Sequence, residues 1–231
     1  MKLIIMSVLF LKAFQDNYIW IIQQTSSFIC IDPGDSAPVL AFAEKQALEL
    51  KAILITHDHA DHIGGVQSLM KHFPNAVIYR PEDQIATITL GNYIFNQLDT
   101  PGHTANHVCY FEPNHHWLFC GDTLFSAGCG RVFDGSFEDL FQSLQTLKQL
   151  PDDTKIFCAH EYTRDNLKFS LSVEPDNQAA QRHLNLLEAK PTQTSLPSTI
   201  AFEKKINPFF RGRANTDFEY FKSLRQAKDK F

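Results

Sequence analysis

The spacing of apolar residues divides the chain into two unlike parts. Leu3 to Phe14 and Tyr18 to Ile22 read as strands joined by Gln15-Asp16-Asn17, and Ser27 to Ile31 reads as a third, closed by Asp32-Pro33-Gly34-Asp35. Pro38 to Leu50 places Val39, Leu40, Phe42, Ala43, Ala47 and Leu50 at helical spacing, and the unbroken run Ala52 to Ile55 reads as a buried strand. A helix over 65–73 and a short strand from Ala76 to Tyr79 follow. Alternation from Ile85 to Leu98 predicts antiparallel strands, and Val108 to Phe111 with Trp117 to Cys120 predicts a hairpin whose tip carries His115 and His116. Ser136 is placed to cap a helix with Leu140, Phe141, Leu144 and Leu147 inward, Pro151-Asp152-Asp153 stops it, and Thr154 to Ala159 is one more strand. Beyond Tyr162 the period turns helical (Leu167 to Val173, Asn177 to Ala189, Asp217 to Lys230), punctuated by Pro175, Pro191, Pro197 and Pro208, with no further clear strand pair. The pattern predicts an α/β (α+β) domain over 1–162 and a small helical domain over 163–231.

Composition narrows the class. With 231 residues, 44% hydrophobic and 20 of them Phe, the chain can build a sizeable core. A net charge of -5 disfavours a nucleic-acid surface. The five cysteines are odd in number and form no Cys-x-x-Cys pair, and three of them (Cys109, Cys120, Cys158) lie in apolar strands; this reads as reduced, buried thiols in the cytoplasm. Met1-Lys2 and the apolar run from Leu3 to Leu11 resemble a leader, but Lys12 interrupts the run, no small-x-small site follows, and the strand pattern continues. No stretch reaches the roughly 18–20 apolar residues of a membrane span.

The chemistry is concentrated in Thr56-His57-Asp58-His59-Ala60-Asp61-His62, directly after a strand and before the helix that Gly64-Gly65 opens. Burying so many ionisable groups without a counter-ion costs several kcal/mol each, so the segment reads as a metal site. His57 and His59 can hold one ion and Asp61 and His62 another, with further ligands from later strand ends: His103 after Thr100-Pro101-Gly102, Asp122 after Gly121, and His160 after Ala159. Asp122, with two oxygens, can bridge the ions, leaving His103 to complete the first and His160 the second. Two bridged ions share a water and lower its pKa, which implies hydrolysis. His107 is a competing position that reads as the start of the next strand and a supporting or packing role. Asp58 is expected to support the ligands from behind. His72 and His183, in helix-like runs, receive no function.

His57-x-His59-x-Asp61-His62, with His103, Asp122 and His160, resembles the metallo-β-lactamase superfamily, whose fold is an αββα sandwich with a binuclear site at one edge. Asp16-Asn17-Tyr18-Ile19-Trp20, Gly121-Asp122-Thr123-Leu124-Phe125, Gly128-Cys129-Gly130-Arg131, Ala159-His160-Glu161-Tyr162-Thr163, Asn207-Pro208-Phe209-Phe210-Arg211 and Arg225-x-x-Lys228-Asp229-x-Phe231 narrow the resemblance to the hydroxyacylglutathione hydrolase (glyoxalase II) family over essentially the whole chain. The resemblance implies hydrolysis of S-D-lactoylglutathione to D-lactate and glutathione, the second step of methylglyoxal detoxification. It implies two divalent ions, zinc first, iron or manganese as alternatives, and a metal-bridging hydroxide served by Asp61 and Asp122. It also implies a glutathione site formed by Arg131, Tyr162, Arg225 and Lys228, in a cytoplasmic monomer with no nucleic-acid or membrane partner. Arg225 and Lys228 are readable independently: Thr216-Asp217-Phe218-Glu219 resembles a capping box, and Phe221, Arg225 and Lys228 at i, i+4, i+7 put two cations on an inward stripe. The same spacing also suits cations facing the negative end of their own helix. Phe133 stands where the family often has a Tyr that helps hold glutathione, and Asp58 where it often has a His. Other members of the fold, a lactonase or a persulfide dioxygenase, are the alternative enzyme reading.

Overall fold

The computed structural model describes residues 8–231, so Leu3 to Ser7 of the first expected strand, with most of the leader-like run, lies outside the described residues. The first half forms a five-stranded sheet in the order β1 (Val8–Ala13), β2 (Asn17–Gln23), β3 (Ser27–Ile31), β4 (Glu49–Leu54) and β5 (Val77–Tyr79), with helices α1 (Ala37–Gln46), α2 (Ala60–Ile63) and α3 (Val66–His72) in its connections. Strands β1 to β3 pair antiparallel, whereas β3, β4 and β5 run parallel and end at one edge. The period of two decides what each face meets. Ile19, Ile21, Phe28, Cys30 and Ile53 pack against Val39 and Ala43 of α1 and Val66 and Leu69 of α3, while Tyr18, Trp20, Ile22, Ile29 and Leu54 join the core shared with the second sheet.

The second sheet is built from β6 (Thr87–Leu90), β7 (Tyr93–Asp99), β8 (Val108–Glu112) and β9 (Trp117–Gly121). The short hairpin β10 (Leu124–Phe125) and β11 (Gly128–Cys129) and helix α4 (Phe137–Lys148) come next in the chain, before β12 (Lys155–Cys158) joins the sheet beside β9. Strands β9 and β12 are parallel, so Gly121 and Cys158 reach the same edge. Hydrogen bonds tie the sheets there, among them Val108 N to Thr56 O (2.9 Å) and Tyr18 N to Ala159 O (2.7 Å).

The remaining elements are α5 (Thr163–Val173), α6 (Gln178–Glu188), the two-residue strand β13 (Ser198–Thr199), α7 (Ile200–Ile206) and α8 (Phe218–Lys228). Leu167, Ala180, Leu184, Leu187 and Ile206 form a core of their own with Ala127. Phe209, Phe210, Phe221 and Leu224 instead join the main core beside Leu140, Leu144 and Leu147 of α4. Three expectations are corrected. The helix predicted from Pro38 to Leu50 stops at Ala47, whose left-handed φ of 52° ends it, and Leu50 pairs with Phe28 in β4. The region after Tyr162 contributes a strand, because Ser198 and Thr199 pair with Ile156 and Lys155; two residues are too short to show a period. The last helix is capped one residue later than Thr216, by Asp217, which accepts from Tyr220 N.

Candidate metal centre and substrate cavity

Four strand ends and two turns converge where the two sheets meet. The loop after β4 brings His57, His59, Asp61 and His62; the β7–β8 turn brings His103; β9 delivers Asp122 and β12 delivers His160. Asp32 arrives at the end of β3 and Asp16-Asn17 from the β1–β2 turn. Their side chains fall into three groups whose candidate ligand atoms lie within 4.8 Å of one another: His57, His59 and His103; His57, His62 and Asp122; Asp61, His62 and His160. Asp122 stands between the outer two. Its Oδ2 is 3.5 Å from His103 Nε2, while its Oδ1 is 3.5 Å from His62 Nε2 and 3.4 Å from His160 Nε2. Asp61 Oδ2 is 3.6 Å from His62 Nε2 and 3.4 Å from His160 Nε2, and His59 Nδ1 is 3.2 Å from His103 Nε2.

The outer nitrogens of His57, His103 and His160 are engaged from behind, which turns their other nitrogens toward the cluster. His57 Nδ1 meets Thr56 Oγ1 at 3.1 Å, and Thr56 in turn donates to Asp32 Oδ2 at 2.7 Å. The same Asp32 oxygen lies 3.2 Å from His62 Nδ1. His103 Nδ1 donates to Arg131 O at 2.7 Å, His160 Nδ1 meets Asp16 Oδ1 at 2.9 Å, and Asn17 Nδ2 donates to Asp61 Oδ2 at 2.9 Å. What remains in the cluster is a set of buried atoms without a hydrogen-bond partner among the described residues: His57 Nε2, both ring nitrogens of His62, and Asp122 Oδ1. Buried polar atoms are ordinarily paired. Two ligand atoms each 2.0–2.1 Å from one tetrahedral ion stand about 3.4 Å apart, close to the 3.5 Å between His62 Nε2 and Asp122 Oδ1. The residues fit divalent metal.

Charge in the cluster follows the same geometry. Burial disfavours the imidazolium forms of His57 and His103, strongly so at His57. Burial alone would raise the Asp122 carboxyl, but His62 and His160 overcome it and hold Asp122 well below the carboxylate range. Burial likewise opposes charge on His160, yet the nearby Asp122 carboxylate, with Asp16 behind the ring, lifts it to about 9. His107 stands behind the cluster: its Nε2 accepts from Asp122 N at 3.2 Å, its Nδ1 meets Thr123 Oγ1 at 3.0 Å, and its ring stacks on His57. Asp58 does not support the ligands. It is exposed and has no hydrogen-bond partner among the described residues. That work falls to Asp32, Thr56, Asp16 and Asn17, which sequence reasoning missed, although an acidic residue directly after the β3 strand was the available signal. His115 bonds the buried Glu112 and His116 bonds Asp153 at the hairpin tip.

A cavity of about 500 Å³ opens from this cluster to the C-terminal helix. His59, Asp61, His103, Asp122 and His160 line one end; Arg131, Arg225 and Lys228 line the other. Tyr162 stacks on His160 with ring centroids 4.7 Å apart, and exposed Phe133 meets His59 and His103 edge-on at 5.1 and 5.2 Å. Arg225 is buried, donates from Nη1 to Cys129 O at 2.7 Å and pairs with Asp229 at 3.1 Å, while the Lys228 ammonium lies 5.4 Å from the Phe169 ring centre.

Two stacked sheets with helices outside and a His/Asp cluster at their common edge define the metallo-β-lactamase superfamily, and the model of that superfamily matches residues 14–98 and 83–160. The B3 metallo-β-lactamase BLEG-1 shares the fold with a TM-score of 0.67 at 21% identity, covering 89% of this chain and 99% of its own. Residues 161–231 match the model of the hydroxyacylglutathione hydrolase C-terminus. Hydroxyacylglutathione hydrolases of Legionella pneumophila (strain Lens) and Aliivibrio fischeri (strain ATCC 700601 / ES114) are each 44% identical, covering 98% of this chain and 100% of theirs. The chain belongs to the hydroxyacylglutathione hydrolase family.

Proposed function

We propose that the chain hydrolyses S-D-lactoylglutathione to D-lactate and glutathione, the second step of methylglyoxal detoxification, with two divalent ions, zinc first among the candidates. The observation that carries the reading is a single cavity with a metal-type cluster at one end and three cations at the other. His57, His59 and His103 would hold one ion, Asp61, His62 and His160 the second, and Asp122 would bridge them. Two such ions supply an activated water at neutral pH and polarise the thioester carbonyl. The chain's own residues do the rest. Asp61 would raise its pKa on burial, but Asn17 and His62 outweigh that, so it is ionised and accepts a hydrogen bond from the attacking water. Arg131, Arg225 and Lys228 take the peptide carboxylates, Arg by a planar pair of donors and Lys as a point charge. Tyr162, kept a neutral phenol by burial, offers a hydroxyl beside His160. The leaving thiol ionises near pH 8.5, so departure needs no strong general acid. Residues 1–162 act as the catalytic part and 163–231 as the substrate-binding part. One chain holds the complete site, so the working unit is a monomer, and five free buried cysteines suit the cytoplasm.

Thiol release from S-D-lactoylglutathione by zinc-loaded protein, measured beside a lactoyl thioester without the peptide, tests this. Strong preference for the glutathione ester is expected. Hydrolysis of neither sinks the proposal and turns attention to lactone or persulfide chemistry. Arg225→Ala is expected to raise KM about tenfold or more with kcat much less affected, because the peptide is held alike in ground and transition states.

A further inference from the structure

The three residues Cys129-Gly130-Arg131 lie between the metal-type cluster and α8 and touch both. On the inner side the segment is pressed against the ligands. A Cβ on Gly130 would fall 2.0 Å from Asp122 O and 3.3 Å from His103 Cβ, and Arg131 O accepts from His103 Nδ1 at 2.7 Å. On the outer side it is tied to α8 twice. Cys129 O accepts from Arg225 Nη1 at 2.7 Å, and Arg131 Nε donates to Asp229 Oδ1 at 3.1 Å. The same Asp229 oxygen takes Arg225 Nη2 at 3.1 Å. Asp229 is the C-cap of α8, the end where the helix dipole disfavours a carboxylate. Two guanidiniums offset that placement.

We propose that Asp229 is a positioning residue that couples the grip on metal to the grip on glutathione: by fixing Arg131 and Arg225 on one oxygen it holds the Cys129–Arg131 strap, and through Arg131 O the His103 ring, in ligating position. The inference rests on the metal and glutathione reading given above and extends it to a residue that contacts neither. Coupling of this kind is reciprocal, so an α8 that is held firmly must also hold the metal side firmly.

The test is the rate at which zinc-loaded protein loses metal to excess pyridine-2,6-dicarboxylate in the absence of any substrate. Asp229→Asn is expected to release zinc about 10-fold faster than wild type, at the lower end of what loss of an outer partner does to metal affinity. Arg131→Gln, which cuts the same tie at an exposed side chain, should match it, and Asp229→Glu should stay within about twofold of wild type. Lys148→Ala is the control for general loosening, because Lys148 anchors the same region through Phe210 O and Asn215 Oδ1 without touching the strap. Release at the wild-type rate from Asp229→Asn and Arg131→Gln overturns the proposal. So does equal acceleration in Lys148→Ala at a matched fall in Tm. Because no thioester is used, a protein that fails to hydrolyse S-D-lactoylglutathione but shows the expected release pattern refutes the substrate and keeps Asp229 as the residue that positions His103 through the strap.

Discussion

Asp122 is where the site is most exposed to a single change, because each of its oxygens faces a different cluster of nitrogens. Asp122→Ala is expected to lose bound metal and thioester hydrolysis together, read by metal analysis of the same preparation that is assayed. His107 gives a second expectation, one of pH. Burial depresses it to about 3, against about 6.5 in an unfolded chain. A base with a depressed folded pKa contributes stability that is complete above pH 6.5 and lost as pH falls toward 3, since only the unfolded chain takes up the proton in that window. Urea unfolding of metal-free protein should therefore show a shallower loss between pH 6.5 and 4 in His107→Asn than in wild type. Equal slopes would remove His107 from the account. The seven clustered residues were legible because each follows an apolar strand. Asp32 was not, because Asp-Pro-Gly reads as turn chemistry, and its role depends on β3 lying parallel to β4.

Among the elements, α7 illustrates what a sequence pattern hides. Glu203 is fully buried on it, accepting from Ser126 Oγ at 2.8 Å, Ala127 N at 2.7 Å, Asn207 Nδ2 at 3.1 Å and Ser198 Oγ. Burial raises its carboxyl despite these four donors. The sequence pattern predicts no helix over 200–206 and gives Glu203 no role. In the fold it fastens the loop that leads into β11, and hence into the Cys129–Arg131 segment, onto the C-terminal region. Removing it strands several buried donors, so Glu203→Ala is expected to cost roughly 3–5 kcal/mol in chemical denaturation. A change below about 1 kcal/mol would mean that the donors find other partners. The amphipathic elements α4, α5, α6 and α8 were legible from their 3.6-residue period, and Ser136 caps α4 as its chemistry suggested. Strand β13 was not, because its existence depends only on the free edge of β12.

For the whole molecule, the edge shared by the two sheets carries unpartnered buried groups that metal would satisfy, so stability is expected to follow metal content. Metal present at about 100 times its dissociation constant adds about 2.7 kcal/mol. For a chain of this length that corresponds to on the order of 5–10 °C in Tm. Stripping with chelator should lower Tm by that much, and zinc should restore it; an unchanged Tm would show that the orphaned atoms are satisfied without metal. The individual strands were readable from periodicity and the αββα sandwich was what the family resemblance implied, whereas the sharing of one core by α4, α8 and the second sheet was in neither, since helical period says which face is apolar but not what covers it.

The ligand-type residues come from strand ends that are far apart in the chain, from His57 to His160. No hairpin, helix or single sheet of this protein brings all seven together. During folding, a chain that has formed either sheet alone can offer an ion only a few donors, and high affinity appears only when Val108 meets Thr56 and Tyr18 meets Ala159 across the seam. A full set of ligand-type residues is thereby a property of the assembled molecule alone, so metal retention is expected to report completed assembly of the two sheets.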